Sequence, residues 1–232
     1  MKILSVDSSA VSASAAIVCE DKIIGEFFCN TGLTHSQTLV PMIDALLKNT
    51  QTDITQIDAL AVSSGPGSFT GVRIGVSAVK GIATALNLPC IGVSTLHAMA
   101  MNFVGFQSAV VCAVMDARCS QVYNALFRAD GGKVIRLCED RAISLEQLKG
   151  ELSQISERVI LVGDGAKITK EFMTDLDHVV LPAAHLMYQR AAAVGMAALE
   201  VPESEYLTAE QLMVRYLRLP QAERELKKRQ NT

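Results

Sequence analysis

One stretch constrains this chain more than any other: Ser63-Ser64-Gly65-Pro66-Gly67-Ser68-Phe69-Thr70-Gly71-Val72-Arg73-Ile74-Gly75. A short apolar run, residues 59–62, precedes it and reads as a buried strand. Residues 71–86 carry a helical pattern, so the glycines sit on a strand-to-helix turn. Gly65 and Gly67 can take positive φ or admit a neighbouring backbone, and Pro66 stiffens the turn between them. Thr70 is the expected N-cap, with the free N–H groups of the new helix facing the loop. Such a loop suggests phosphate binding, yet the known patterns fail. Counted from Gly65, a P-loop would need Gly where Thr70 stands and Lys where Gly71 stands. A dinucleotide fingerprint would need its third glycine one residue before Gly71, with an acidic ribose partner further on. A tight turn with close helix packing explains the spacing better.

The rest of the chain repeats a unit. Residues 2–7, 13–19 and 22–29 read as three strands with short connections, an antiparallel meander. A helix follows, opened by a capping box of Thr34 and Gln37. Its apolar stripe is Leu39, Met42, Ile43, Leu46 and Leu47, with Pro41 expected to kink it. After the glycine loop, helix 71–86 has small residues at Gly71, Gly75, Ala78, Gly81 and Ala85. Glycine in a helix costs about 1 kcal/mol against alanine, so another element must pack closely there: the chain's own sheet or a second subunit. A strand at 89–93 and a helix at 95–103 complete the first unit. The second unit has strands at 109–116, 121–128 and 133–138, a helix at 144–152 and a strand at 159–162. A short helix, a strand at 178–181 and a helix at 183–200 follow. Asp7 and Asp116 end equivalent strands, and Gly163-Asp164-Gly165 matches Gly65-Pro66-Gly67. The order βββαβα occurs twice, which predicts a duplicated α/β fold. The expected domains are 1–104 and 105–232, with the tail able to pack back on the first.

Composition removes several functions. A net charge of −3 offers no general attraction to nucleic acid or anionic membrane. Aromatic residues are few and tryptophan is absent, against a base-stacking surface. Six cysteines form no C-x-x-C pair and read as buried, reduced thiols of a cytoplasmic protein. Asp7 interrupts the first apolar run, so no signal peptide is expected, and no stretch reads as a membrane span. Asp7 and Asp116 are expected to face a cleft and could hold Mg²⁺ through water, or could simply bond local N–H groups. His35, His97, His178 and His185 show no zinc-helix spacing, and structural roles are expected for them. Ser68 has no assignable base. The run 223–229 alternates in sign and reads as a solvated tail.

Two such units face to face resemble the actin-like, Hsp70-like (ribonuclease H-like) architecture, which holds a nucleotide between its lobes. A closer resemblance rests on Ile3-Leu4-Ser5-Val6-Asp7-Ser8-Ser9, His35 with Leu39 and Pro41, and the glycine loop through Gly75. Gly92-Val93-Ser94-Thr95-Leu96, Asp116-Ala117-Arg118 with Val122-Tyr123, and Tyr216-Leu217-Arg218 follow in order. Together they resemble the TsaB (YeaZ) family, a subunit of the tRNA threonylcarbamoyladenosine machinery. The resemblance implies a catalytically degenerate copy of the transferase TsaD. Thr95 and Met99 stand where that partner carries metal-binding histidines, so no metal and no intrinsic cofactor are expected. ATP and Mg²⁺ would enter only at a complex interface. The implied partners are TsaD, the ATPase TsaE, tRNA through the complex, and a second copy when TsaD is absent. The resemblance makes His35, Leu39, Met42, Ile43, Leu46, Gly71, Val72, Gly75, Val76 and Val79 the candidate partner interface. Asp7, Ser8, Gly65, Gly67, Arg73 and Asp116 would be a vestigial nucleotide cleft. An ATP-dependent phosphotransferase of the same fold is the alternative; a metallopeptidase is disfavoured by the missing ligands.

Overall fold

A computed structural model describes residues 1–218; the charged run at 223–229 lies outside the described residues. The first sheet is built from β1 (Ile3–Asp7), β2 (Ala13–Val18), β3 (Ile23–Cys29), β4 (Ala59–Gly65) and β5 (Cys90–Ser94), in the order β3-β2-β1-β4-β5. β1, β2 and β3 pair antiparallel, while β4 and β5 continue from β1 in parallel. The second sheet uses β6 (Gln107–Asp116), β7 (Gln121–Asp130), β8 (Lys133–Arg136), β10 (Arg158–Val162) and β11 (Val179–Val180), in the order β11-β10-β6-β7-β8. Taken from the other edge, that order and its sense repeat the first sheet strand for strand. The chain is thus a duplicated α/β fold of the actin-like type. One strand escaped the sequence reading: β9 (Arg141–Ser144) adds to β7.

Strand alternation divides each sheet into two apolar faces. On the first sheet, Leu4, Val6, Leu60 and Val62 face α1 (His35–Asn49) and α2 (Phe69–Leu86), whereas Ile3, Ala59 and Ala61 face α6 (Ala191–Leu199). On the second, Val110, Cys112 and Val114 face α4 (Leu145–Leu152) and α5 (Ala166–Phe172); Val111, Ala113 and Met115 face α3 (Thr95–Met101). The lobes therefore trade helices. α3 follows the first sheet but packs on β6, β7 and β8, and α6 follows the second but packs on β1 and β2. α6 is almost entirely buried, as its run of alanines requires. A boundary at residue 104 divides the sheets but not these helices.

Residues 207–218 form a strap that returns to the first lobe. Cys90 and Leu207 exchange backbone hydrogen bonds of 2.8 and 2.9 Å, closing the β5 edge. Leu212 is buried among the side chains under α1 and α2.

Several local expectations need correction. α2 starts at Phe69, because Ser68 rather than Thr70 is the N-cap; its hydroxyl accepts from the Gly71 N–H at 3.3 Å. Thr34 makes no side-chain cap; its carbonyl accepts from the Gln37 N–H at 3.0 Å. α1 continues through Pro41. The segment read as a helix over 183–200 is a 3-10 turn at Ala184–Leu186, an extended Arg190, then α6. Arg190 is drawn out by its ion pair with Glu26 on β3. Two thiols, Cys29 and Cys119, are exposed, although all six are free. α2 is long and apolar enough to pass a membrane-span test by length and composition, contrary to expectation. Its exposed Arg73, Ser77 and Thr84 and its buried Val72, Val76 and Val79 mark it as an amphipathic helix on a sheet.

Candidate functional site

The two duplicated acids meet different fates. Asp7, at the end of β1, is 1% exposed. Its carboxylate accepts from the Ser9 N–H at 2.9 Å, the Ser9 hydroxyl at 2.8 Å and the Ser63 hydroxyl. Burial raises its pKa above the ordinary carboxylate value, against the opposing pull of these bonds. It does not reach the cleft, so the expectation that it would is corrected. The alternative reading, a strand-end acid bonded to local groups, describes it. Asp116, at the end of β6, does line the cleft. Its carboxylate accepts from the Arg118 N–H at 2.7 Å and lies 3.1 Å from the Arg118 guanidinium.

The glycine loop is filled by the chain itself. The Ser68 N–H donates to the Ser9 carbonyl at 2.7 Å, and the Ser8 hydroxyl donates to the Gly71 carbonyl at 2.8 Å. A Cβ on Gly67 would meet the Ser9 carbonyl at 2.5 Å, and one on Gly71 would strike the Ser8 carbonyl. Gly65 has φ +123°, and a Cβ there would strike the Arg215 carbonyl of the strap, whose N–H donates to the Ser64 carbonyl at 2.7 Å. The glycines thus admit two passing backbones, the β1–β2 turn and the strap. Of the residues assigned to a vestigial nucleotide cleft, Gly67 and Asp116 line the cavity between the lobes; Asp7, Ser8, Gly65 and Arg73 do not. Arg73 sits on the outer side of α2. Its guanidinium lies 3.7 Å from the centre of the Phe69 ring, and its Nε–H donates to the Tyr216 hydroxyl at 2.6 Å.

The candidate partner interface also needs correction. Leu39, Met42, Ile43, Leu46, Val72, Val76 and Val79 are buried against the chain's own first sheet. Gly71 and Gly75 are buried against Ser8. An amphipathic helix beside a sheet turns its apolar stripe to that sheet, so these side chains form core. His35 is half-buried, its Nε2 2.6 Å from the Ala10 carbonyl. The outer faces of the same helices carry Val40, Pro41 and Asp44 on α1, and Arg73, Ser77, Gly81 and Thr84 on α2. No Cβ added at Gly81 would meet anything within 4 Å.

Between the lobes a cavity of about 360 Å³ remains. Asp164 lies in it, between Gly163 and Gly165, and was legible only as part of the repeated glycine pattern. Burial pushes its pKa up to about 6; the Gln189 amide, 3.5 Å away, opposes this and the charge of Asp116 adds to it. Phe69, Tyr123, Tyr216 and Arg218 also line the cavity, and the Arg218 guanidinium donates to the Ala117 carbonyl at 3.0 Å. Tyr216 and Phe69 stack at 5.3 Å. The strap thereby ties the glycine loop of one lobe to the β6–β7 turn of the other. Thr95 and Met99 are buried. Among the described residues, no three His, Cys, Asp or Glu side chains gather where they could hold a metal ion.

This is an actin-like pair of lobes whose first phosphate loop is closed by the chain's own backbone. A family model described as TsaD, tRNA N6-adenosine threonylcarbamoyltransferase, matches residues 30–223. The tRNA threonylcarbamoyladenosine biosynthesis protein TsaB of Escherichia coli (strain K12) is 36% identical over 167 residues, 71% of this chain and 72% of the relative. TsaB of Bacillus subtilis (strain 168) is 30% identical over 176 residues, 76% of each chain. The crystal structure of YeaZ from Pseudomonas aeruginosa superposes with a TM-score of 0.76 at 26% identity, covering 93% of this chain and all of that one. A second Pseudomonas aeruginosa structure, of an uncharacterized protein with similarity to peptidase YeaZ, gives 0.79 at 27% identity, over 94% and 99%. The chain belongs to the TsaB (YeaZ) family of tRNA threonylcarbamoyladenosine biosynthesis proteins.

Proposed function

We propose that this chain is a non-catalytic subunit that grips and activates TsaD in making tRNA threonylcarbamoyladenosine. One observation carries the reading: the places where an actin-like lobe would seat a phosphate are taken by Ser8, Ser9 and Arg215 of the chain itself. A helix N-terminus offers its N–H groups to an anion only while they are free. The same observation weighs against an ATP-dependent phosphotransferase. Gripping then falls to the outer faces of α1 and α2, where Val40 is 56% exposed and Gly81 lets a foreign backbone approach. In this reading a second copy occupies the faces when TsaD is absent, and TsaE joins the pair. tRNA is reached through TsaD, ATP and Mg²⁺ meet the chain only at a shared interface, and the complex works in the cytoplasm.

The test is co-purification with TsaD, followed by an assay of tRNA modification with and without this chain. Ser77→Arg and Gly81→Arg, both on the outer face of α2, are expected to abolish co-purification and activation without lowering the melting temperature. Retained binding by both variants would refute the assigned face. Modification of tRNA or steady ATP hydrolysis by the isolated chain would refute the non-catalytic role.

A further inference from the structure

The cavity between the lobes is bounded on the first lobe by Gly67, Ser68 and Phe69 and on the second by Asp116, Arg118 and Asp164. Four charged side chains among the described residues line it: Asp116, Asp164, Arg118 and Arg218. Two carboxylates and two guanidiniums cancel, so a neutral ligand leaves no net charge uncompensated. Asp116 and Arg118 are already paired at 3.1 Å, which leaves Asp164 and Arg218 as the opposite charges with capacity to spare. Asp164 arrives from the end of β10; besides backbone hydrogen bonds, its side-chain partner is the Gln189 amide at 3.5 Å. A contact that long is a weak hydrogen bond, so the carboxylate retains acceptor capacity. Arg118 is 82% exposed at its side chain and stands at the mouth. Arg218 lies at the end of the strap and commits one N–H to the Ala117 carbonyl; a guanidinium has four more.

The cavity therefore attracts a cation at Asp164 and an anion at Arg218. A divalent metal would want several oxygen ligands, and here one of the two carboxylates is already paired with Arg118. An ammonium needs fewer, with three N–H donors. Apolar and aromatic walls are supplied by Met115, Phe69 and Tyr216. The volume of about 360 Å³ is at the lower end for small-molecule sites.

We propose that this cleft binds a small zwitterion of the α-amino acid class. Its ammonium group lies against Asp164, its carboxylate against Arg218, and an aliphatic side chain against Phe69 and Tyr216. Binding is non-covalent and requires no bond to form or break. Ser77 and Gly81, which test the grip, do not line this cavity, so failure of the amino-acid site leaves the gripping role standing.

The test is ligand-observed saturation-transfer NMR on the full chain at neutral pH with L-leucine as the probe. Isoamylamine and isocaproate, which each keep one of its two charges, are the controls. Leucine is expected to bind at least about tenfold more tightly than either control, since each lost group removes a charge-assisted hydrogen bond. Asp164→Asn and Arg218→Ala are each expected to weaken leucine by a similar factor with the thermal melt retained. Equal signals from all three probes would overturn the proposal, as would no leucine signal. Undiminished binding in both folded variants would also overturn it.

Discussion

Two glycines of one helix should respond to alanine with opposite signs. Gly75 and Gly81 both lie inside α2, where alanine gains about 1 kcal/mol over glycine from the backbone alone. At Gly81 nothing lies within 4 Å of the added methyl, so Gly81→Ala should stabilise the isolated chain by about 0.5–1 kcal/mol. At Gly75 the methyl would stand 2.6 Å from the Ser8 hydroxyl oxygen and 3.3 Å from a Val62 methyl. Ser8 is 1% exposed and its hydroxyl is committed to the Gly71 carbonyl. Turning it away leaves a buried polar group unpaired, about 1–3 kcal/mol, and moving the helix instead costs about 1–3 kcal/mol in overpacking. Either cost exceeds or cancels the propensity gain, so Gly75→Ala should destabilise by up to about 2 kcal/mol net. Urea denaturation followed by far-ultraviolet circular dichroism reads both. Equal shifts of the same sign would refute the packing described for α2. The pair also carries a functional consequence: Gly81→Ala, more stable alone, should bind TsaD less well if the outer face is the grip.

The strap and the cleft give further expectations. Leu212→Ala removes a side chain that is 1% exposed, and should cost about 2–3 kcal/mol in urea unfolding, the lower part of the range because the strap can settle; Met213→Ala, at a site 67% exposed, should cost nothing measurable. Tyr216→Ala removes the stack on Phe69 and the acceptor of the Arg73 Nε–H, both at the surface, so global stability should change by less than about 1 kcal/mol. Amide exchange at Arg215 should nonetheless quicken, and unchanged exchange would show that the stack does not hold the strap. Asp164 has a folded pKa raised from 3.8 to about 6, so its contribution to stability is complete below pH 4 and is lost as pH rises through about 6. Asp164→Asn should therefore flatten stability between those limits, by up to about 3 kcal/mol, which melts at a series of pH values would measure.

The repeated unit was legible because strand and helix periods are written in single residues. Leu39, Met42, Ile43 and Leu46 recur at helical spacing, and Asp7 and Asp116 close two matching strands. The sheet order then repeats in full. What sequence could not supply was the direction of the buried faces. The stripe on α1 and the small residues of α2 fit a partner helix as well as a sheet, since both demand apolar or narrow surfaces. The sheet won because Leu4, Val6, Leu60 and Val62 present an apolar face that must be covered within the chain. The tail's return to the first domain was expected, but the contacts of the strap were illegible for another reason. Residues 207–218 have neither period, and their fit depends on single events: Leu212 in the core, Arg215 against Gly65, Tyr216 on Phe69.

The two acids show how duplication can leave one site closed and its copy open. Both end the central strand of a sheet, and both precede a short turn to the next strand. After Asp7 the turn is Ser8 and Ser9, pressed by the N-terminal end of α2 until both are buried. Hydroxyls small enough for that space saturate the carboxylate from Ser9 and Ser63. After Asp116 the turn bulges outward instead, with Arg118, Cys119 and Ser120 all at φ between 54° and 64°. Three consecutive side-chain-bearing residues in that region hold the turn away from the helix that follows β10. α5 is short and begins at Ala166 with Gly165 as its cap; Gly165 packs on Met115 and Asp116, and the turn itself is held by the Arg218 guanidinium on the Ala117 carbonyl. The charged side chains of the cleft come from the second lobe and the strap, while the glycine loop of the first lobe is a seat for the chain's own backbone.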